Sequence, residues 1–193
     1  MKPEAAQRPR RAVFLDRDGT VVDELGFLSD PARVRLVPRA AEGIARMNRA
    51  GLRVLIVTNQ SGIARGMFDE GTLAAVHARI QALLAAEGAR IDGFYHCPHH
   101  PDFGSPCACR KPEPGLLLAA AREHGVDLAS SWLVGDSPRD LEAARRAGVH
   151  GRILVLTGKG EETRAELARA SCADFRLAPD LVEAEEIVRA AFD

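Results

Sequence analysis

Two closely spaced carboxylates follow the first apolar run of the chain. The run at residues 11–15 ends directly at Asp16, and Asp18 follows in a glycine-containing turn. A carboxylate in such a position can attack phosphorus and form an aspartyl-phosphate. A second carboxyl group beside it can act as general acid and base toward the leaving group and water. A lone D-x-D pair is usually only a turn, so the pair points to phosphoryl transfer only together with the motifs that follow.

Polar residues also follow later apolar runs. Thr58 comes directly after the run 53–57, Lys111 precedes a helical pattern, and Asp136 follows the run 132–134. Several acids in one cleft repel each other unless a hard cation is present, and Mg²⁺ prefers oxygen ligands. A hydroxyl group and a lysine would stabilise charge on the transferring phosphoryl group. The set predicts a Mg²⁺-dependent site.

A second cluster lies in residues 97–112, a stretch without periodicity that is rich in Pro, His and Cys. A Cys-x-His pair and a Cys-x-Cys pair stand a short loop apart, and Cys₃His is a common closed set for structural Zn²⁺. The predicted ligands are Cys97, His99, Cys107 and Cys109. His100 is the alternative histidine ligand, and spacing alone does not exclude it. We expect neither His96 nor Cys172 to be a ligand.

The elements that must position these residues alternate along the chain. Apolar runs predict strands at residues 11–15, 53–57, 94–96, 132–134, 153–156 and 175–177, with helical patterns between and after them. Short apolar strands buried on both faces are typical of a parallel sheet covered by helices. We predict an α/β fold with a doubly wound, Rossmann-like parallel sheet. Such sheets place their sites at the carboxyl ends of the strands.

The spacing of the motifs also bounds the domain organisation. One helix fills the interval from Asp18 to Thr58, and a helix, a strand and the Cys/His stretch fill the interval from Thr58 to Lys111. Neither interval leaves room for a large cap domain. We predict one domain over residues 1–193, with residues 1–10 flexible and a small zinc-binding loop at 97–112.

The composition excludes several classes of protein. The 193 residues include 26 basic and 27 acidic side chains, so the net charge of −1 argues against a strongly basic nucleic-acid-binding protein. No apolar run approaches the ~20 residues of a membrane helix. Residues 1–11 lack the apolar core of a secretion signal. We expect a cytoplasmic monomer that binds neither nucleic acid nor membranes.

The motifs resemble those of the haloacid dehalogenase (HAD) superfamily of phosphatases. The shared pattern is D-x-D-G-T, a strand-terminal Thr, a Lys and G-D, and it covers residues 13–147. The longer motifs T-N-Q-S-G-I-A-R-G, C-P-H-H-P and C-x-C-R-K-P-x-P-G are similar to the branch that acts on heptose bisphosphates and histidinol phosphate. The resemblance implies a phosphatase that removes the C7 phosphate of a small phosphorylated sugar, D-glycero-D-manno-heptose 1,7-bisphosphate.

The resemblance also implies roles for the matching residues. Asp16 would be the nucleophile and Asp18 the general acid and base. Thr58 and Lys111 would hold the transferring phosphoryl group. Mg²⁺ would be bound by Asp16, Asp136 and the backbone carbonyl of Asp18. The implied zinc ligands are those predicted from spacing, with His99 favoured over His100. We expect Asp140 to act outside the Mg²⁺ ligand set.

The substrate-binding positions come from the same resemblance. They are Glu24, Leu25, Gly26, Phe27, Asn59, Gln60, Ser61, Arg110 and Ser137. Ser137 stands where a common form of the family has Lys after G-D, so a phosphate contact there is expected to be weak or absent. Arg65 and Arg139 are candidate replacements for it.

Three alternative functions stay open at this point. Histidinol-phosphate phosphatase uses the same motifs. A nucleic-acid 3′-phosphatase is disfavoured by the near-zero net charge and the lack of clustered aromatic residues. A zinc-containing interaction module on an inactive scaffold is disfavoured because each expected catalytic position is filled.

Overall fold

The structure contains a six-stranded parallel sheet covered by helices. It is a computed structural model that describes residues 10–169 and 174–192. The strands are β1 Ala12–Leu15, β2 Arg53–Asn59, β3 Gly93–Cys97, β4 Trp132–Gly135, β5 Gly151–Val155 and β6 Arg176–Ala178. They pair in the order β3-β2-β1-β4-β5-β6, and each pairing is parallel. The predicted doubly wound sheet is confirmed.

The helices cover both faces of the sheet. They are α1 Ala40–Arg49, α2 Glu70–Ala86, α3 Gly115–His124, α4 Pro138–Ala147, α5 Gly160–Arg169 and α6 Leu181–Ala190. Buried side chains of α1, α2 and α6 join one hydrophobic core, and those of α3 and α4 join a second. Successive strand side chains point to opposite faces, so Val13 and Leu15 enter the first core while Phe14 enters the second.

Several element ends differ from the prediction by one or two residues. β5 begins at Gly151 rather than at 153, because Gly151 pairs with Trp132 of β4. A Cβ at this position would collide with the Trp132 ring, so the strand begins with a glycine. The glycine therefore interrupts the apolar pattern for a packing reason. The predicted end of α5 at residue 170, the position of Cys172 and all but the last residue of the predicted flexible segment 1–10 lie outside the described residues.

No large cap domain is present in the described ranges. The chain between β1 and α1 contains one short 3₁₀ turn, Pro31–Arg33, and the loop between β3 and α3 contains another, Pro101–Phe103. The carboxyl ends of the strands are thus covered only by loops. Within the described ranges, no helix combines the length and apolarity needed to cross a bilayer.

Candidate active site

A cleft of about 380 Å³ lies at the carboxyl ends of the central strands. The four residues predicted to be catalytic line it, as does Asp136: they are Asp16, Asp18, Thr58 and Lys111. The predicted substrate-binding residues that line it are Glu24, Gly26, Phe27, Asn59, Gln60, Ser61, Arg110 and Ser137. Leu25 is outside this lining, and its side chain is 39% exposed.

Lys111 is buried at the bottom of the cleft. Its Nζ lies 2.8 Å from Asp16 Oδ1 and 2.5 Å from Asp140 Oδ1, and it donates to the Val57 carbonyl at 2.7 Å. The Asn59 side chain holds the Lys111 backbone, because its Oδ1 accepts from the Lys111 amide and its Nδ2 donates to the Lys111 carbonyl, both at 3.0 Å. The structure thus uses Asn59, a predicted substrate ligand, to position the lysine.

The carboxylates of Asp16, Asp136 and Asp140 form an acidic cluster in which ligand oxygens lie within 4.8 Å of one another. Burial and the nearby Asp140 raise the pKa of Asp16, although Lys111 opposes the shift. Burial also raises the pKa of Asp136 to about 6. These are hard oxygen donors whose mutual repulsion Lys111 offsets only in part, because its single charge faces three carboxylates, and the set fits Mg²⁺.

The turn between β5 and α5 holds Asp136 in place. The Lys159 amide donates to Asp136 Oδ2 at 2.8 Å. Gly19 and Gly158 flank the same oxygen, and a Cβ on either glycine would collide with it. Thr157 Oγ1 donates to the Gly19 carbonyl at 2.6 Å and joins the two loops. Gly158 is the feature of the sequence that signals this close backbone approach.

Asp18 is oriented by two neighbouring side chains. Arg17 Nη2 lies 2.9 Å from both carboxylate oxygens of Asp18, and Gln60 Nε2 donates to Asp18 Oδ2 at 2.8 Å. The same Gln60 amide donates to Thr58 Oγ1 at 2.8 Å. Sequence reasoning missed Arg17, whose position between two acids was the available signal. It also assigned Gln60 to the substrate, whereas this side chain links two predicted catalytic residues.

Ser137 begins helix α4 and fixes Asp140. The Ser137 amide and hydroxyl donate to Asp140 Oδ2 at 3.1 and 2.6 Å, which completes a capping box. Gly135 allows this approach, because a Cβ there would lie 2.6 Å from Asp140. The serine therefore has a structural use at a position where a common form of the family has Lys and where the sequence predicts a weak or absent phosphate contact.

Three arginines lie at the rim of the cleft: Arg65, Arg110 and Arg139. Burial lowers the pKa of Arg110, and the charges of Arg139 and Arg65 lower it further. Arg110 Nη1 donates to the His99 carbonyl at 3.0 Å. Arg65 Nη2 lies 2.9 Å from His100 Nε2. The rim therefore offers positive charge to an anionic group beyond the acidic cluster.

Cys97, His99, Cys107 and Cys109 form a compact thiol cluster beside the cleft. The Cys97 sulfur lies 3.1 Å from the Cys109 sulfur and 3.6 Å from the Cys107 sulfur. His99 Nδ1 lies 3.3 Å from the Cys109 sulfur. Donor atoms of this type at these separations match a tetrahedral zinc site with three thiolates and one imidazole.

The other histidines of this region have different partners. His100 contacts Arg65 and accepts from the Asp102 amide at 3.2 Å, so it faces the active-site cleft. His96 Nε2 lies 2.8 Å from Glu70 Oε2. His99 therefore lies among the cysteines, whereas His100, the alternative zinc ligand, does not.

Two family models match the chain. The model described as haloacid dehalogenase-like hydrolase matches residues 2–145, and the HAD-hydrolase-like model matches residues 108–184. The crystal structure of the D,D-heptose 1,7-bisphosphate phosphatase of B. bronchiseptica, complexed with magnesium and phosphate, superposes with a TM-score of 0.84 at 41% identity. The superposition covers 94% of this chain and 99% of that chain.

Curated relatives match over most of their length. The D-glycero-beta-D-manno-heptose-1,7-bisphosphate 7-phosphatase of Photorhabdus laumondii is 41% identical over 162 residues, which cover 81% of this chain and 86% of the relative. The protein of the same name in Pseudomonas aeruginosa is 44% identical over 155 residues, with coverages of 80% and 85%. Taken with the sheet order and the acidic cluster, these matches show that the chain belongs to the haloacid dehalogenase-like hydrolases.

Proposed function

We propose that this chain is a Mg²⁺-dependent phosphatase that removes the C7 phosphate of D-glycero-D-manno-heptose 1,7-bisphosphate. The observation that carries the proposal is the acidic cluster around buried Lys111, in a cleft with three arginines at its rim. Relatives at about 40% identity bear the corresponding name, and a similar solved structure contains magnesium and phosphate. No comparable observation favours histidinol phosphate.

The proposed reaction has two steps. The Asp16 carboxylate attacks the C7 phosphorus while the bond to the sugar oxygen breaks, and Asp18 gives its proton to that oxygen. A water molecule then attacks the aspartyl-phosphate, Asp18 takes a proton from it, and phosphate leaves. Thr58 and Lys111 hold the phosphoryl oxygens during both steps. Heptose 1-phosphate with a free C7 hydroxyl group, inorganic phosphate and the regenerated Asp16 carboxylate account for every atom.

Asp16, Asp136 and the Asp18 carbonyl are the proposed Mg²⁺ ligands, and Asp140 is anchored by Lys111 and Ser137 instead. When bound, the ion would offset the repulsion among the acids and withdraw charge from the phosphoryl group. The chain itself fixes the Asp136 donor, because the β5–α5 turn leaves its carboxylate little freedom, and the capping box likewise holds the neighbouring Asp140.

The function is tested by phosphate release from purified protein in Mg²⁺ buffer. The substrates are both anomers of the heptose bisphosphate and histidinol phosphate, compared by kcat/KM. We expect one heptose bisphosphate anomer to exceed histidinol phosphate by at least about 10²-fold. A preference for histidinol phosphate would replace the proposed substrate.

Replacement of Arg110 by Ala is expected to weaken binding of the second phosphate. We expect the KM for the bisphosphate to rise about tenfold with little change in kcat, because the contact is equal in ground and transition states. The KM for heptose 7-phosphate, which lacks that group, should hardly change. Exposed Arg33 supplies a control, Arg33→Ala, for loss of an arginine elsewhere. Equal losses on both substrates would reject this role.

The affinity for Mg²⁺ is expected to fall in acid. Burial raises the pKa of Asp136 to about 6 from its ordinary 3.8, so protons compete with the ion for this carboxylate below that value. The proton on Asp136 alone weakens the apparent affinity about tenfold between pH 7 and pH 5. Asp16, whose pKa is also raised, makes the whole dependence steeper. Isothermal titration at several pH values measures this, and Asp136→Asn should lower the affinity and flatten the dependence. An affinity that is constant with pH would contradict the assignment.

We also propose that the thiol cluster binds a structural zinc ion. Cys109 lies two residues before Lys111. The Cys97 carbonyl accepts a hydrogen bond from the backbone N–H of Gln60 at 2.8 Å. A zinc ion here would connect the end of β3 to the loop that carries Arg110 and Lys111. Free thiols persist most readily in a reducing compartment, so we propose that the enzyme works in the cytoplasm.

Replacement of Cys107 or Cys109 by Ser is expected to remove the zinc. Elemental analysis of protein purified without chelator should find about one zinc per chain, and less than a tenth of that in either variant. Phosphatase activity should fall about tenfold or more, while Mg²⁺ affinity stays near its starting value. Cys172→Ser is the matched control and should keep its zinc. Zinc-free protein with reactive thiols at the cluster would refute the site.

A further inference from the structure

We infer that Arg17 is a positioning residue that locks the carboxylate of Asp18 in one orientation for proton transfer. This inference rests on the proposed function, because it assumes that Asp18 is the general acid and base. Arg17 lies between the two acids of the D-x-D motif, yet its side chain is fully buried and does not line the cleft. It therefore acts through Asp18 and does not touch the substrate.

The geometry of the pair restricts rotation of Asp18. Arg17 Nη2 lies 2.9 Å from both oxygens of Asp18, and Arg17 Nε lies 3.2 Å from both. Each nitrogen is equally far from both oxygens, so the guanidinium contacts the whole carboxylate group and does not pair with it one nitrogen to one oxygen. Four charge-assisted contacts hold the carboxylate in place. In the described part of the chain, no other carboxylate pairs with Arg17. Rotation of Asp18 would thus leave a buried charge unpaired, which is costly.

The other end of Arg17 is also fixed. Arg17 Nη1 lies 3.4 Å from His77 Nε2 on helix α2. Burial and the charge of Arg17 lower the pKa of His77 to about 3, so the imidazole is neutral and its ring nitrogen can face a guanidinium. The His77 ring stacks on Phe94 of β3, with ring centroids 4.5 Å apart. Arg17 therefore connects the core to the predicted acid.

The hydrogen bonds distinguish the two oxygens of Asp18. Oδ2 accepts from two nitrogens of Arg17 and from Gln60, whereas Oδ1 accepts from the two nitrogens of Arg17 alone. Oδ1 thus has one donor fewer than Oδ2, and its 3.2 Å contact with Arg17 Nε is the longer of its two. We assign the transferred proton to Oδ1. The contacts with Arg17 would direct this oxygen toward the leaving oxygen of the sugar in the first step and toward water in the second.

The inference is tested by leaving-group dependence. The C7 alkoxide of the heptose bisphosphate needs protonation as it leaves, whereas p-nitrophenolate leaves p-nitrophenyl phosphate without it. The ratio kcat/KM reports the steps through departure of the leaving group. We expect Arg17→Met to lower kcat/KM about 10²-fold on the sugar and less than about fivefold on the aryl phosphate. Asp18→Asn should show the same selective pattern with a larger loss.

Two further variants keep the test decisive. Arg17→Lys retains a cation without the planar fork, and His77→Phe retains the ring stack without the nitrogen. In both variants kcat/KM should fall more on the sugar than on the aryl phosphate, but by less than in Arg17→Met. If Arg17→Met does not fold, Arg17→Lys decides the test. Arg46→Met, at an exposed ion pair on α1, is the control and should leave kcat/KM unchanged on both substrates. Equal losses on the two substrates would reduce Arg17 to a structural residue and overturn the inference.

The pattern also separates this inference from the proposed function. Selective loss in Asp18→Asn without selective loss in the Arg17 variants overturns the positioning role alone. Absence of selectivity in Asp18→Asn removes the acid role itself, and the inference on Arg17 falls with it.

Discussion

Replacement of Asp16 by Asn should abolish turnover while the fold is retained. An amide oxygen is a poor nucleophile toward phosphorus, so we expect kcat to fall by at least about 10⁴-fold. The substitution keeps the shape of the side chain and removes one charge from the acidic cluster, in which burial and Asp140 already raise the pKa of Asp16. Phosphate release under saturating substrate measures the loss, and thermal unfolding checks the fold.

A phosphoryl mimic makes the test specific for the nucleophile. Beryllium fluoride with Mg²⁺ should bind the unmodified chain at Asp16 and raise its melting temperature, because it imitates an aspartyl-phosphate. Asp16→Asn should show no such increase. Asp23 lies outside the lining of the cleft, so Asp23→Asn is the matched control and should keep both activity and the response to fluoride. A nearly normal kcat in Asp16→Asn would overturn the assignment.

The fold was predictable because its signals are local. Each strand of the sheet is a short apolar run, and a glycine ends the helical pattern after α1, α3 and α4, where Gly51, Gly125 and Gly148 adopt positive φ angles. These features depend on a few adjacent residues. The exact strand ends were less predictable, since Gly151 pairs with Trp132 of the neighbouring strand although a glycine carries no apolar signal of a strand.

The acidic cluster was predictable for a topological reason. Asp16 and Asp136 each follow a strand, and the carboxyl ends of β1 and β4 are adjacent in a parallel sheet. Sequence order alone therefore brings these residues to one edge. Lys111 is different, because it follows a long loop, and its place at that edge was inferred from its motif.

The supporting contacts could not be predicted, because they join distant segments through single atoms. The Lys159 amide contacts Asp136 across 23 positions, and Asn59 holds the backbone of Lys111 across 52. The periodicity of apolar residues does not predict a hydrogen bond between a side chain and the backbone of a distant loop. Arg17 was missed for another reason: a charged residue beside two acids is usually solvated, and its complete burial is visible only in the structure.

Replacement of Lys111 by Met should remove activity and also destabilise the chain. Burial alone would lower the pKa of Lys111, but Asp140 and Asp16 outweigh burial and raise it, so the side chain is a buried cation. Its loss leaves two carboxylates without their partner, and breaking a buried ion pair costs about 3–5 kcal/mol. The phosphoryl group also loses a cation, so we expect kcat to fall about 10³-fold. Chemical denaturation and phosphate release measure the two effects.

The double variant Lys111→Met with Asp140→Asn separates those effects. Asp140 is buried and meets Lys111 Nζ through Oδ1, so removing both charges should recover at least half of the lost unfolding free energy. The kcat should stay low, because the phosphoryl oxygens still lack a cation. The single variant Asp140→Asn completes the double-mutant cycle. Recovery of kcat together with stability would mean that Lys111 only neutralises the acids. Recovery of stability without kcat would place its charge on the transferring phosphoryl group.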